Sequence, residues 1–188
     1  MPRRNGRAGR RAGHCSRAVR QAGERERVGP GRMSQFLGTH TNKLDAKGRV
    51  SIPAPFRAAL RPTEGNGAPL VLRPSHKSPC IEGWPAAAFH ALATPLDGLD
   101  MFGEAHDDLA AALYADAHPS EPDKEGRIVL PADLIGHANL ADSVVFLGLG
   151  RTFQIWEPAA GEKFRIEARE RARAHRLTLP GGRAGGSA

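Results

Sequence analysis

The strongest constraint on this chain is a segment that occurs twice. Leu44-Asp45-Ala46-Lys47-Gly48-Arg49-Val50-Ser51-Ile52-Pro53-Ala54 returns as Pro122-Asp123-Lys124-Glu125-Gly126-Arg127-Ile128-Val129-Leu130-Pro131-Ala132. Asp, Gly, Arg, Pro and Ala recur in one register, and the apolar pair Val50/Ile52 returns as Ile128/Leu130. A chain with this repeat is built from two copies of one unit, each carrying a tight turn that ends in arginine. Such a pair points to a symmetric binding surface before it points to an enzyme.

Each residue of the segment has a physical reading. An aspartate at the start of Asp-x-x-Gly-Arg accepts hydrogen bonds from backbone amides a few residues on, and the glycine supplies the positive φ that closes a short hairpin. Asp45 to Gly48 and Asp123 to Gly126 therefore read as hairpin turns. The residues that follow alternate, with Val50, Ile52, Ile128 and Leu130 on the buried face of a strand. Pro53 and Pro131 end the strands and open helical turns, where proline is tolerated because the first helical amides lack partners. Each copy is strand, turn, strand, short helix, with Arg49 and Arg127 at the turn ends.

Net charge by itself misleads about partners. The whole chain of 188 residues carries +7, but residues 1–32 hold ten arginines against Glu24 and Glu26, a net of +8 that leaves the remainder at −1. Nucleic-acid binding must then rest on local basic patches rather than on overall charge. Residues 1–32 are rich in Arg, Gly and Ala, a composition that cannot offset the entropy of ordering and reads as disordered. Three readings stand for them: an extension created by start-site choice, with Met33 the true start; a bland basic tail; or a nucleic-acid arm. Neither an apolar signal core nor an 18-residue apolar stretch occurs, so a soluble, intracellular protein without a membrane partner is expected.

The rest of the chain repeats the same order of elements. Phe36 to His40 reads as a first strand, and Phe56 to Leu60 as a helix that breaks at Pro62, before a Gly/Pro-rich connection to Pro69. Leu70 to Leu72 and Cys80 to Gly83 form a strand pair, and Pro85 opens a helix through about Leu92. Asp107 to Tyr114 makes a linking helix. In the second copy Leu134-Ile135 is helical, Val144 to Leu147 and Phe153 to Trp156 are strands, and Pro158 opens a helix through about Ala174. Trp84 and Trp156 fall at matching places as core residues. One copy alone is too small to bury a sizeable core, so the two must share one.

Chemistry-bearing clusters are sparse. Cys15 and Cys80 form no CxxC pair, and Cys80 reads as a small buried residue. His106 beside Asp107, Asp108 and His118 is the nearest approach to a metal cluster, but acids opening a helix explain it more simply. No Gly-rich phosphate loop or nucleophile elbow is present, so no cofactor, metal site or enzymatic activity is expected.

Two copies of Asp-x-x-Gly-Arg-(apolar)-x-(apolar)-Pro-Ala, each followed by a strand pair and a proline-initiated helix, carry a family resemblance. The element resembles the AbrB-like swapped-hairpin DNA-binding element, and the tandem arrangement from Met33 to about Arg176 is similar to the MraZ family of bacterial transcriptional regulators. The resemblance implies a mainly β fold with short helices (α+β), a double AbrB-like swapped-hairpin β-barrel formed as an intramolecular pseudo-dimer. Its expected layout is an extension at 1–32, a first repeat at 36–83, linking helices at 84–114, a second repeat at 115–157, a C-terminal helix at 158–176 and a disordered tail at 177–188. It also implies a cytoplasmic, nucleoid-associated repressor that assembles into rings and binds promoter DNA with direct repeats upstream of the division and cell-wall gene cluster.

Carried onto this chain, the resemblance assigns Arg49 and Arg127 to DNA contact, and Asp45, Gly48, Asp123 and Gly126 to orienting the turns. An arginine on a rigid hairpin can set its planar fork against guanine O6 and N7. Lys43, Lys47, Arg57 and Lys124 suit phosphate contacts, which position a protein without reading sequence. The bland alternative is that each Asp and Arg form an exposed ion pair that serves only the hairpin. A second functional alternative is an antitoxin-like AbrB-fold protein with a protein partner. The run Arg165 to Arg173 mixes signs as a solvated helix face does. Glu125 has no acidic counterpart in the first turn, where Lys47 stands, so the first copy is expected to dominate DNA contact.

Overall fold

A computed structural model of the chain describes residues 35–60 and 68–178. The expectations for residues 1–32, for the break at Pro62 and for the tail from 179 onward lie outside the described residues. In chain order the elements are β1 (Thr39–Lys43), β2 (Arg49–Ser51), α1 (Ala54–Ala59), β3 (Leu70–Pro74), β4 (Ile81–Pro85), α2 (Ala86–His90), α3 (Ala93–Leu96), α4 (Glu104–Ala110), a π-helical turn (Ala111–Ala115), β5 (His118–Ser120), β6 (Arg127–Val129), α5 (Ala132–His137), β7 (Ser143–Gly148), β8 (Phe153–Trp156) and α6 (Pro158–Ala174). The protein is α+β, an antiparallel β framework with short helices and one longer helix, α6, of 17 residues. Among the described residues no helix is long and apolar enough to cross a membrane.

Six strands form one antiparallel sheet in the order β1-β7-β8-β4-β3-β5, and β2 pairs with β6 in a separate two-stranded ribbon. The six-stranded sheet runs from edge to edge without closing on itself. Exchanging the two copies (β1 with β5, β3 with β7, β4 with β8) turns that strand order into its own reverse. A pseudo-twofold relation between the copies therefore passes between β8 and β4.

The local hairpin reading needs correction. Across the first turn only Leu44 and Val50 pair as a bridge. Beyond it the arms part: β1 takes its partners from the second copy, with Thr41 opposite Val145, while β5 lies against β3 of the first, with Leu70 opposite Ser120. The cause is length. Pro53 halts β2 after three residues, so β1 satisfies its five-residue ladder on β7, whose Val144 and Phe146 are fully buried.

Element boundaries differ in smaller ways. The first strand starts at Thr39 rather than Phe36, which instead exchanges backbone hydrogen bonds with Gly150 at 2.7 and 3.0 Å. The linking helix begins at Glu104 and widens to the π-helical turn at Ala111. There the Ala112 carbonyl accepts a hydrogen bond from Arg73 Nη1 at 3.0 Å, and Arg73, only 2% exposed, also pairs with Glu82 at 2.8 Å.

Both copies contribute to one core. Phe36 and Phe56 from the first meet Phe146 and Phe153 from the second, all four completely buried, with ring centroids 5.1 to 6.1 Å apart in the paired contacts. Edge-on and tilted rings at this spacing add to the burial itself. Trp156 is buried and stacks on Phe164 of α6 at 4.7 Å, whereas its counterpart Trp84 is half-buried beside Phe89. Cys80 is fully buried, and desolvation pushes its thiol up to about 12. The charges of α6 pair along the helix, Arg165 with Glu162 at 2.6 Å and Arg171 with Glu167 at 3.4 Å.

Packing at two glycines generates a contrast. A methyl group on Gly83 would collide with the edge of the Phe153 ring, at its Cζ, whereas one on Gly136 in α5 would meet nothing within 4 Å. Gly83→Ala is expected to destabilise by about 1 to 3 kcal/mol through overpacking, and Gly136→Ala to stabilise by roughly 0.5 to 1 kcal/mol through backbone entropy. Urea midpoints check both; an unchanged midpoint for Gly83→Ala would contradict the tight seating of Phe153.

Candidate nucleic-acid interface

The two repeated turns are the same construction. Asp45 accepts from Gly48 N–H through its backbone carbonyl at 2.9 Å and donates its own N–H to the Arg49 carbonyl at 3.0 Å; both equivalent bonds at Asp123 are 2.8 Å. One carboxylate oxygen of Asp45 takes the Lys47 and Arg49 amides, each at 2.9 Å, and the other takes Arg49 Nε at 2.7 Å. Asp123 repeats the pattern on the Glu125 and Arg127 amides at 3.0 and 2.8 Å and on Arg127 Nε at 2.8 Å. Gly48 and Gly126 stand at φ +73° and +77°, where an L side chain is strained.

These hydrogen bonds set the electrostatics. Amide donation, led by Arg49 N–H and Arg127 N–H and reinforced by the guanidinium of the same residue, holds Asp45 and Asp123 below the usual carboxylate range. Arg127 is held above its ordinary value, first by the Asp123 carboxylate and further by Glu125. As solvent-exposed ion pairs these contacts add little to stability. Their larger effect is on direction: a carboxylate anchored by two amides holds each arginine through Nε.

The turns also hold each other. The Gly126 carbonyl accepts from Ile52 N–H at 2.9 Å, and the Gly48 carbonyl accepts from Leu130 N–H at 2.8 Å. Between them β2 and β6 pair with Arg49 opposite Val129, Val50 opposite Ile128, and Ser51 opposite Arg127. Val50 and Ile128 point inward at 1% exposure, so Arg49, Ser51, Arg127 and Val129 share the outer face.

Arg49 and Arg127 thus lie on one ribbon face, and Lys47 and Lys124 are exposed at the turn tips. Arg57 leans over the second turn, where a side chain on Gly126 would collide with it, and its Nη1 donates to the Ile52 carbonyl at 2.7 Å. Its counterpart over Gly48 is Ile135. Lys43 belongs to the larger sheet, at the end of β1 opposite Ser143. The copies differ at Glu125, which takes Arg127 Nη2 at 3.0 Å, whereas among the described residues no acid other than Asp45 pairs with Arg49. Reading for charge alone missed Asn42, which donates to the Ser51 carbonyl, and the outward Ser51 and Val129. The period-two alternation that buries 50 and 128 was their signal.

The histidines fall elsewhere. His118 lies 3.0 Å from Asp133, and His106 lies 3.3 Å from Asp107. Among the described residues no group of three or more His, Cys, Asp or Glu is placed to hold a metal ion.

The sequence that builds these turns matches known proteins. A family model described as "MraZ protein, putative antitoxin-like" matches twice, over residues 35–108 and 113–179. A protein of Gluconacetobacter diazotrophicus named transcriptional regulator MraZ is 65% identical over 156 residues, which is 82% of this chain and 99% of that protein. Proteins of the same name from Gluconobacter oxydans and Pelagibacter ubique are 65% and 42% identical, covering 75% and 77% of this chain and 87% and 92% of their own lengths.

Lowered carboxyl groups give these turns a defined pH response. A carboxylate depressed in the fold contributes stability above its unfolded value, near 4, and that contribution is lost as pH falls through the lower folded value. The Arg49 and Arg127 amide resonances are expected to hold steady from pH 7 to 5 and to shift only below about pH 4. Asp45→Asn should abolish the shift at Arg49 and leave that at Arg127. A transition near pH 6 would contradict the carboxylate assignment.

Proposed function

Because the chain belongs to the MraZ family, we propose that it is a DNA-binding transcriptional regulator that reads promoter DNA with the outer face of the β2–β6 ribbon. The carrying observation is that Arg49 and Arg127 lie on that one face, each held through Nε by an aspartate anchored on backbone amides. The major groove of B-DNA admits a two-stranded antiparallel ribbon, and arginine is the commonest reader of guanine. Lys47, Lys124 and Arg57 surround the ribbon as phosphate contacts, with Lys43 further out. Residues 36–83 and 115–157 act as two AbrB-like repeats interlocked as swapped hairpins around an open sheet rather than a closed barrel, a reading that the crossed pairings β1–β7 and β5–β3 support.

A single pseudo-dimer makes few base contacts. A ring of subunits engaging direct repeats raises avidity through effective concentration, without new chemistry. On this reading the protein is a cytoplasmic, nucleoid-associated repressor of the division and cell-wall gene cluster. The antitoxin-like wording of the family description supports a second reading, an AbrB-fold DNA-binding protein with a toxin partner. A small toxin encoded beside this gene and copurifying with the chain would favour it.

The promoter reading has a direct test. Affinity for a duplex of the region upstream of the chain's own gene should fall steeply with salt, because phosphate contacts release counterions. Arg49→Ala is expected to cost about 1 to 3 kcal/mol, the value of one bidentate base contact, and Arg127→Ala less, since Glu125 already occupies one of its nitrogens. Gel-shift titration measures both. Binding insensitive to salt or to scrambled repeats would sink the proposal, and a larger loss from Arg127→Ala would reverse the ranking of the copies.

A further inference from the structure

We infer that Val129 is a specificity-determining residue, packing on the 5-methyl group of a thymine beside the guanine engaged by Arg49. The inference rests on the DNA-binding reading above. Val129 is 58% exposed, a fully aliphatic side chain on a face otherwise made of Arg49, Ser51 and Arg127. It stands directly opposite Arg49 in the ribbon register. Directly opposed residues of an antiparallel pair have Cβ atoms about 4.5 to 5.5 Å apart, and successive bases of one strand rise about 3.4 Å. A side chain opposite Arg49 therefore falls over the neighbouring base. In the major groove, thymine alone among the bases offers a methyl group there, and an apolar side chain is its match.

Strand propensity explains a valine in a strand, but the equivalent position of the other copy builds the same strand with Ser51. Neither residue is needed for the core, which the ribbon supplies through Val50 and Ile128. The two halves thus carry different pairs, Arg49 with Val129 and Arg127 with Ser51. The first favours guanine beside thymine; the second offers a hydroxyl, which accepts or donates to any base edge. The ribbon is pseudo-symmetric in backbone and unequal in what it reads.

The test uses the full chain and labelled duplexes of the region upstream of its own gene, with thymines replaced singly by deoxyuridine to remove one methyl group each. Wild type is expected to lose about fourfold in affinity at one thymine next to a guanine, the equivalent of about 0.8 kcal/mol for one buried methyl. Val129→Ser should bind equally well with either base there, and Ser51→Val should acquire sensitivity at a second thymine. If wild type binds with the expected salt dependence and weakens with Arg49→Ala, yet the deoxyuridine series is flat or Val129→Ser keeps its sensitivity, the Val129 assignment is overturned while DNA binding stands. Absence of salt-dependent binding by wild type would overturn both.

Discussion

Reciprocal backbone pairing between the two repeats is the constraint on which the rest of this structure depends. Ile52 donates to the Gly126 carbonyl, Leu130 donates to the Gly48 carbonyl, and three residue pairs of β2 and β6 lie between these bonds. Each turn glycine is thereby a partner to the other copy as well as a hinge of its own. The same exchange sends β1 to β7 and β5 to β3, and so brings Phe36 and Phe56 against Phe146 and Phe153. Neither repeat could bury these rings alone, and small units are marginal for want of a core.

On that frame the proposed DNA-contacting surface takes few residues to build. The repeated aspartates divide their two oxygens between two tasks: one closes the turn on backbone amides, the other holds an arginine through Nε. The ion-pair reading and the DNA-contact reading of Asp-x-x-x-Arg are therefore compatible. An exposed pair of small energetic value still restricts where a guanidinium can go, and preorganisation lowers the entropy lost on binding. Symmetry stops at the side chains: Glu125, Val129 and Arg57 stand where Lys47, Ser51 and Ile135 occupy the related places.

Much of this was legible from residue patterns. The turn glycines follow from Asp-x-x-Gly, the inward faces of the ribbon from alternation at Val50/Ile52 and Ile128/Leu130, and the start of α6 from Pro158, which Glu157 caps by accepting from the Ala159 and Ala160 amides. Strand partnership was not legible. Alternation says which face of β2 or β6 is buried but not which strand lies beside it, and β1, Thr-His-Thr-Asn-Lys, carries no apolar alternation at all, so adjacency in sequence suggested a local hairpin. The short β5, His-Pro-Ser, has no strand-like composition and exists because β3 offers it an edge.

The sequence by itself determined that the chain holds two copies of one turn unit, that each turn places an arginine four residues after an aspartate, and that any basic patch outside residues 1–32 is local. Those properties follow from short-range chemistry: carboxylate reach, glycine φ and period-two alternation. Only the tertiary structure decided that the two arginines share one face, that Arg57 braces the second turn rather than the first, and that Val129 faces outward opposite Arg49. These depend on register between segments 78 residues apart along the chain, as Asp45 is from Asp123. Register of that kind is chosen by the shared core, which no local segment contains.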